Sequence, residues 1–405
     1  MDLWWTSLDL YLKPSIVFVW LSVILFGCRF DNQKPKPVGE LPVIDLSKSH
    51  PKKEIHLQDI ADIEYIPLET TDDVLLNQVA VLHYISNNYI VITNVDRRGN
   101  IFIFNRNGKI ISYFNRQGQG GEEYIGITSV VFDEKNEEIF VLSNQNHRIL
   151  VYSVSGEYKR TLKYSTDWMI WSAYNWDDET LLIYDEYFSN QKREVNEKPY
   201  VLLSKKDGSV VSALDIHLPV RYSNRIAIDL GNNMIAPASV PFTISNRHYG
   251  YQDYVIADLS SDTIYRLTKN RDLTPWLVHK PSVHTSDPRR VWSFLLTTDK
   301  FIVLETTVLD YIALEKNSSI PSKTLMYEFA TGETSEITFV WDDMGMSYFF
   351  YLYDADMPKN MSARLMLAST ILARYKANKL KGDAEKLAQT LDEEDNHVLV
   401  IIKFK

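Results

Sequence analysis

The sequence has one cysteine, Cys28, and therefore cannot form an internal disulfide. The apolar segment before that cysteine is short. Residues 15–27 form a mostly apolar stretch of about 13 residues, fewer than the ~20 that a membrane-spanning helix needs. Basic residues are outnumbered, because 43 lysines and arginines stand against 53 acidic residues, giving a formal net charge of −10. A nucleic-acid partner needs a basic face for its phosphates, so this charge balance argues against one.

The chain also lacks the spacings of common catalytic and metal sites. None of its nine histidines belongs to a His-x-Glu or His-Glu-x-x-His sequence; His279 and His284 are five residues apart in a proline-containing loop. There is no Gly-x-Ser-x-Gly sequence around a serine nucleophile and no aspartate-rich calcium loop of the EF-hand type. The sequence therefore predicts no metal and no cofactor.

Strand-forming residues are abundant. Hydrophobic residues make up 45% of the chain and charged residues 24%, which is typical of a globular protein. Aromatic residues reach 12%, a level that favours strands and offers flat surfaces for stacking on sugars or peptides. The roughly 375 residues after the N-terminal apolar stretch suffice for two average domains or one large all-β domain.

Strand-like runs and glycine turns recur at a fixed spacing between residues 80 and 215. Ile101 to Ile149 is a step of 48, Gly108 to Gly156 is also a step of 48, and a longer third copy has its turn at Gly208. Strands of four to six residues, hairpins and a period near 50 are typical of a β-propeller with one four-stranded blade per repeat. The alternative, a two-sheet sandwich, does not explain the recurrent spacing.

The repeats therefore predict an all-β fold, a six-bladed β-propeller. Five blades can be counted between about residues 79 and 340, and they leave strands at 43–46, 63–68 and 398–404 without hairpin partners. Pairing the first and last strands in a sixth blade closes the ring and removes exposed sheet edges.

A segment rich in Ala, Leu and Lys interrupts the strand pattern at about 360–392. It predicts a small helical insertion of two helices, at 362–373 and 383–391, separated at Gly382. We expect this insertion to pack on the outside of the last blade.

The residues Leu25-Phe26-Gly27-Cys28 resemble a bacterial lipobox, in which the cysteine thiol becomes the lipid attachment point. The resemblance implies a lipoprotein signal peptide over 1–27, a linker over 28–42 and the propeller over 43–405. It also implies a protein of the cell envelope, lipid-anchored to the outer membrane through Cys28, with periplasmic or surface orientation left open. The alternative is a buried N-terminal strand with an inert cysteine.

Four further stretches resemble the six-bladed β-propeller lipoproteins of gut Bacteroidetes and, more distantly, NHL-repeat propellers. They are Tyr-Ile-Pro-Leu-Glu-Thr at 65–70, Gly-Gln-Gly-Gly-Glu-Glu-Tyr at 118–124, Asp-Thr-Ile-Tyr at 262–265 and Asn-His-Val-Leu-Val-Ile at 396–401. The resemblance implies the fold and the cellular location, and it carries no agreed activity.

The candidate site lies in loops that the propeller geometry brings to one rim. Loops joining the second and third strands of a blade share a face with the loops that link blades, and the longest insertions gather there. Repeat proteins usually bind their ligands on such a surface. The predicted ligand-binding residues on this rim are Arg97, Arg98, Arg116, Glu122, Tyr124, His147 and Arg148.

The sequence favours a binding module for a glycan, a peptide or an outer-membrane partner protein, without catalysis of its own. The alternative is a propeller lyase or hydrolase acting on an anionic carbohydrate. In that case His147 and Arg148 are the first candidates, because together they could polarise a substrate carboxylate.

Overall fold

The computed structural model describes residues 41–94, 99–186, 196–223, 225–231, 234–239, 253–268, 270–310, 312–313, 321–348, 350 and 355–405. For 225–231, 234–239 and 253 it describes the backbone alone. The signal peptide and nearly all of the linker predicted from the sequence lie outside these residues.

The first three blades are four-stranded antiparallel sheets built from strands that are consecutive in the chain. Blade 1 contains Ala80–Ile85, Tyr89–Asn94, Asn100–Asn105 and Ile110–Asn115. Blade 2 contains Ser129–Asp133, Glu138–Ser143, Arg148–Ser153 and Tyr158–Lys163. Blade 3 contains Ile170–Asn175, Thr180–Asp185, Tyr200–Ser204 and Val210–Ala213. The 48-residue step correctly predicted that the hairpins of blades 1 and 2 occupy equivalent positions in the two repeats.

Blades 4 and 5 each receive an additional strand from the N-terminal part of the chain. After a two-stranded hairpin, Arg225–Gly231 and Met234–Ser239, blade 4 contains Asp253–Ala257, Thr263–Thr268 and Leu273–Lys280. Blade 5 contains Arg290–Thr297, Phe301–Val308, Ser322–Glu328 and Thr334–Trp341, whose end also pairs with Met346–Tyr348. Val43–Asp45 adds in parallel to the outer strand of blade 4, and Lys52–His56 does the same in blade 5. These two strands cover edges that would otherwise be open.

Blade 6 joins the two ends of the described chain. Its three strands lie in the order Met361–Met366, Val398–Phe404 and Ala61–Pro67, and a short helix, Leu57–Ile60, precedes the last of them. Antiparallel pairing runs from Val398 opposite Pro67 to Phe404 opposite Ala61. The predicted closure of the ring is confirmed for the strands at 63–68 and 398–404, and so is the six-bladed propeller, whereas the strand predicted at 43–46 lies at the edge of blade 4.

The helical insertion is shorter than predicted. The helices are Ala368–Lys376 and Gly382–Ala388, whereas residues 361–366 form a strand paired with 398–403. The insertion joins two neighbouring strands of blade 6 at the end where Pro67 leads on toward blade 1. Arg374 donates to the carbonyls of Met344 and Gly345 in the passage from blade 5 to blade 6. The helices therefore pack on the passage from blade 5 to blade 6, and Gly382–Ala388 also contacts Ala61–Pro67, the outer strand of the last blade.

The recurrent glycines serve both the turn and the contact between blades. Gly108, Gly156 and Gly208 have φ of 77°, 80° and 83°, in the left-handed region that glycine adopts at no steric cost. A Cβ at Gly156 would lie 2.4 Å from the Phe114 ring, in the outer strand of the preceding blade. Each such turn packs against the end of the outer strand of the preceding blade. The glycines therefore recur with the repeat because each blade makes the same contact with the blade before it.

The described blades present one end at which the chain passes to the next blade, and we call this end the linker face. Loops between second and third strands open there too, as the loop 144–147 of blade 2 does. The loop 258–262 also belongs to this face, because the Tyr200 hydroxyl donates to Asp258 and the Tyr222 N–H donates to Ser260 Oγ. Apolar side chains fill the space between blades, each contributing ~1.5–3 kcal/mol when fully buried.

Candidate functional site

Arg97, Arg98 and Cys28 lie outside the residues that the structure describes. The other predicted site residues lie in the passage from blade 1 to blade 2 or in the loop of blade 2: Arg116, Glu122, Tyr124, His147 and Arg148.

Tyr124 is an interior residue of the passage between blades 1 and 2. Its side chain is fully buried, and its hydroxyl donates to the carbonyl of Gly99 and accepts the N–H of Arg116 at 2.9 Å. Burial raises the pKa of this hydroxyl to about 12, so it stays protonated. Tyr124 thus ties two linker-face segments together, and its ring is closed to a ligand.

Arg116 and the glycine-rich run beside it also hold this passage in place. The Arg116 Nε donates to the Gly156 carbonyl at 2.9 Å, and the Glu122 carbonyl accepts from the Tyr152 hydroxyl at 2.7 Å. The Glu123 carboxylate accepts the N–H of Gly120 at 2.8 Å. Glu122 keeps an exposed side chain, while the run itself makes a tight crossing between blades.

His147 and Arg148 follow a single 3₁₀ turn, Asn144–Asn146, at the linker face of blade 2. His147 adopts the left-handed conformation with φ of 51° and lies half-buried beside Tyr164. Within the described chain, three buried polar atoms of this loop have no hydrogen-bond partner: Asn144 Nδ2, Asn146 Oδ1 and His147 Nδ1. An unpartnered buried polar atom costs ~1–3 kcal/mol.

A buried polar cluster that sequence analysis missed joins blades 3 and 4 at the linker face. Arg221 is 5% exposed and donates to the Tyr184 hydroxyl and the Asp185 carbonyl, both at 2.7 Å. The Tyr200 hydroxyl donates to Asp258 at 2.9 Å. Burial raises the pKa of both tyrosines. No short sequence motif predicts this cluster, because its members lie far apart in the sequence, on separate strands and in a passage between blades.

The two histidines expected in one proline-containing loop lie in different places, because His279 belongs to the strand Leu273–Lys280 and His284 follows that strand. His279 is buried, with Nδ1 3.0 Å from the Pro281 carbonyl and Nε2 3.5 Å from Asp262, whereas His284 is exposed. Burial lowers the pKa of His279 and so favours its neutral form. Across the described ranges, no group of three His, Cys, Asp or Glu side chains is arranged to hold a metal.

A cavity of about 430 Å³ opens at the other end of the blades, away from the linker face. Its lining residues are Ser86, Asn87, Asn88, Glu134, Lys135 and Pro358. The Glu134 carboxylate accepts from Tyr84 and Asn88, both at 2.6 Å, and Lys135 pairs with Asp178. The charged groups around this cavity are therefore already paired within the protein.

The comparison with known families gives one match, over residues 41–403, to a family described as a domain of unknown function, DUF4934. The chain belongs to this family. The match spans all six blades and both N-terminal edge strands. None of the curated proteins matches this DUF4934 chain.

Solved structures similar to this DUF4934 chain include an exported protein of Bacteroides fragilis NCTC 9343, with a TM-score of 0.60 and 14% identity over 90% of this chain and 99% of that one. A DUF4221 member from Bacteroides vulgatus ATCC 8482 has a TM-score of 0.43 and 10% identity, covering 85% and 97%. The first of these structures, at 14% identity, shows the fold alone. Together with the family match, the first structure confirms the resemblance to six-bladed propellers of Bacteroidetes.

The family-like stretches at 65–70 and 396–401 lie side by side where the ring closes. Asn396 is 4% exposed; its Oδ1 accepts the Leu76 N–H, and its Nδ2 donates to the carbonyls of Glu69 and Val74, each at 2.7 Å. Its backbone N–H donates to Thr70 Oγ1 at 2.8 Å. These stretches of the DUF4934 chain therefore have a structural role.

Proposed function

We propose that this DUF4934 chain is a lipid-anchored binding module of the cell envelope, and that its linker face binds an acidic glycan. The main observation behind this proposal is which arginines have a carboxylate partner and which do not. On the linker face Arg148, Arg289 and Arg290 have no carboxylate within 4 Å among the described residues. Away from that face Arg106, Arg160 and Arg271 pair with carboxylates at 2.7, 2.6 and 3.6 Å, and Arg266, which has no carboxylate within 4 Å among the described residues, stacks on Trp276.

Unpaired cations on one face of a protein with a net charge of −10 favour an anionic partner. The exposed amide of the neighbouring Gln145 favours a glycan, because an amide offers both a donor and an acceptor to sugar hydroxyls. Acidic peptides share the charge but lack the hydroxyls.

The cellular location is supported by the lipobox-like residues Leu25 to Cys28 and by the exported Bacteroides fragilis protein of the same fold. Among the described residues, no helix is long and apolar enough to cross a membrane. A lipid on Cys28 would supply the membrane attachment.

Binding can be tested by titrating the protein with oligogalacturonate, a sulfated galactan, poly-glutamate and neutral dextran. We expect binding of an acidic glycan and a loss of roughly 10- to 100-fold in Arg148→Ala, the scale for a hydrogen bond to a charged group. Lys135→Ala is the matched control, because Lys135 is a cation at the opposite cavity.

Three results would contradict the proposal: no binding of either acidic glycan, preference for poly-glutamate, or a loss in Lys135→Ala without one in Arg148→Ala. Appearance of cleaved products during the incubation, abolished by His147→Ala, would support the lyase or hydrolase alternative.

A further inference from the structure

Three segments meet at the linker face of blade 4: the passage 221–223, the loop 258–262 and the passage 281–290. The Tyr222 N–H donates to Ser260 Oγ at 2.8 Å. The Val283 N–H donates to Asp262 Oδ1 at 2.7 Å. These bonds fix both passages to the same loop, so side chains projecting from them have a defined spacing.

Arg289 is held in one orientation by two contacts. Its guanidinium carbon lies 4.1 Å from the centre of the Tyr222 ring, and its Nε donates to the Val283 carbonyl at 2.9 Å. Stacking fixes the plane of the guanidinium, and the Nε bond fixes its rotation. No contact in the described chain engages the two remaining nitrogens, so the edge that grips an oxyanion is open.

The surroundings of Arg289 suit a charged sugar. His284 is exposed, and its ring centre lies 5.6 Å from that of Tyr222, which places a second polar ring beside the tyrosine on which Arg289 stacks. Arg290 adds another cation without a carboxylate partner among the described residues. Among the described residues Asp262 makes no ion pair with Arg289 within 4 Å; its Oδ1 accepts from Val283 and lies 3.5 Å from His279.

We infer that Arg289, stacked on Tyr222 beside His284, forms a subsite for the carboxylate or sulfate group of an acidic glycan. This inference rests on the proposed function of the linker face, and it identifies the residues that bind the charged group of the glycan. The planar fork of a guanidinium can bond two oxygens of either group at once. Because Arg289 is ordered before the ligand arrives, little side-chain entropy is lost on binding.

The test is isothermal titration of the full chain with trigalacturonate, which carries carboxylates, and with a sulfated galactan oligosaccharide. Arg289→Lys keeps the charge and loses the fork, and we expect a loss of roughly 10-fold for the preferred ligand. Arg289→Gln should lose roughly 10- to 100-fold. Arg266→Lys is the matched control, because Arg266 stacks on Trp276 at 4.2 Å, in the strand Thr263–Thr268.

Trigalacturonate binding that falls in the Arg289 variants, with Arg266→Lys unchanged, would support a carboxylate site; the same pattern with the galactan alone would support a sulfate site. Binding lost in Arg148→Ala but unchanged in both Arg289 variants would overturn the subsite and leave the linker-face proposal standing. If wild type binds neither acidic glycan, both proposals fail. Melting temperatures identify any variant that lost its fold, and Arg289→Lys is the conservative check.

Discussion

Asp356 lies at the seam between blade 6 and blade 1. Its N–H donates to the His83 carbonyl and its carbonyl accepts the Ile85 N–H, both at 2.9 Å. Burial raises the pKa of its carboxyl from 3.8 to about 7. Because the folded chain then binds this proton more tightly than the unfolded chain, Asp356 lowers the free energy of unfolding progressively as pH rises from about 4 to about 7.

Asp356→Asn should keep both backbone bonds and remove this cost. We expect the variant to exceed wild type in stability by roughly 1–3 kcal/mol at pH 8 and to match it near pH 4. Urea unfolding at both pH values measures the difference, with exposed Asp72→Asn as control. A difference that is independent of pH would contradict the assignment.

Wild type and Asp356→Asn should both lose stability toward pH 4. Burial lowers the pKa of His83 and His397 to about 4. Unfolding exposes these histidines, which then bind protons below about pH 6.5, so the stability they contribute is lost as pH falls from there to about 4. The comparison between the two proteins cancels this shared loss.

Sequence patterns predicted individual residues where a local rule decides them. A tight hairpin requires positive φ, so spacing alone identified Gly108 and Gly156. Tyr124 could be placed in a loop but not in the interior, because a motif does not say which side chain turns inward. Arg289 was visible only as one of two adjacent arginines, since its contact with Tyr222 joins distant segments.

Secondary structure was predicted well where strands alternate with turns and less well near the C-terminus. Residues 361–366 are rich in good helix formers, yet they form a strand because pairing with 398–403 outweighs intrinsic preference. The strands that close the ring were recognised as incomplete by themselves. Their partners could be inferred from the requirement that no edge stay open.

The closure of the ring depends on Asn396 as well as on strand pairing. Asn396→Ala removes three side-chain hydrogen bonds and leaves the Leu76 N–H and two carbonyls without that partner. We expect a loss of about 2–4 kcal/mol in unfolding free energy, below the sum of separate bonds because water can reach some of the groups. Asn107→Ala, in an exposed turn, is the control for urea unfolding, and equal stability of the two variants would contradict the clamp.

At the scale of the whole molecule, the length of chain between the predicted lipid on Cys28 and the propeller limits how far the predicted binding face can lie from the membrane. From Cys28 to Leu41 the chain has 13 steps, at most ~45 Å when fully extended. If Cys28 carries the predicted lipid, this length is the greatest distance that the segment allows between the membrane surface and Leu41.

Lipidation itself predicts a change in partitioning. Expressed in a Gram-negative host, wild type should enter the detergent phase and Cys28→Ala should stay in the aqueous phase, since acyl chains contribute ~0.8 kcal/mol per buried CH₂. Asn32→Ala, in the predicted linker, should behave as wild type. Equal partitioning of wild type and Cys28→Ala would refute the anchor.

The N-terminal strands that edge blades 4, 5 and 6 give this propeller an order of assembly. Blades 1 to 3 need only neighbouring segments and can form while later residues are still being synthesised. The N-terminal strands pair only with much later residues: Val43 lies opposite Val278, Lys52 opposite Glu336 and Ala61 opposite Phe404. These pairs cannot form until the later residues have been synthesised. Three of the six blades are thus completed by strands from residues 43–67, and the sixth blade closes only when Val398–Phe404 is available for pairing.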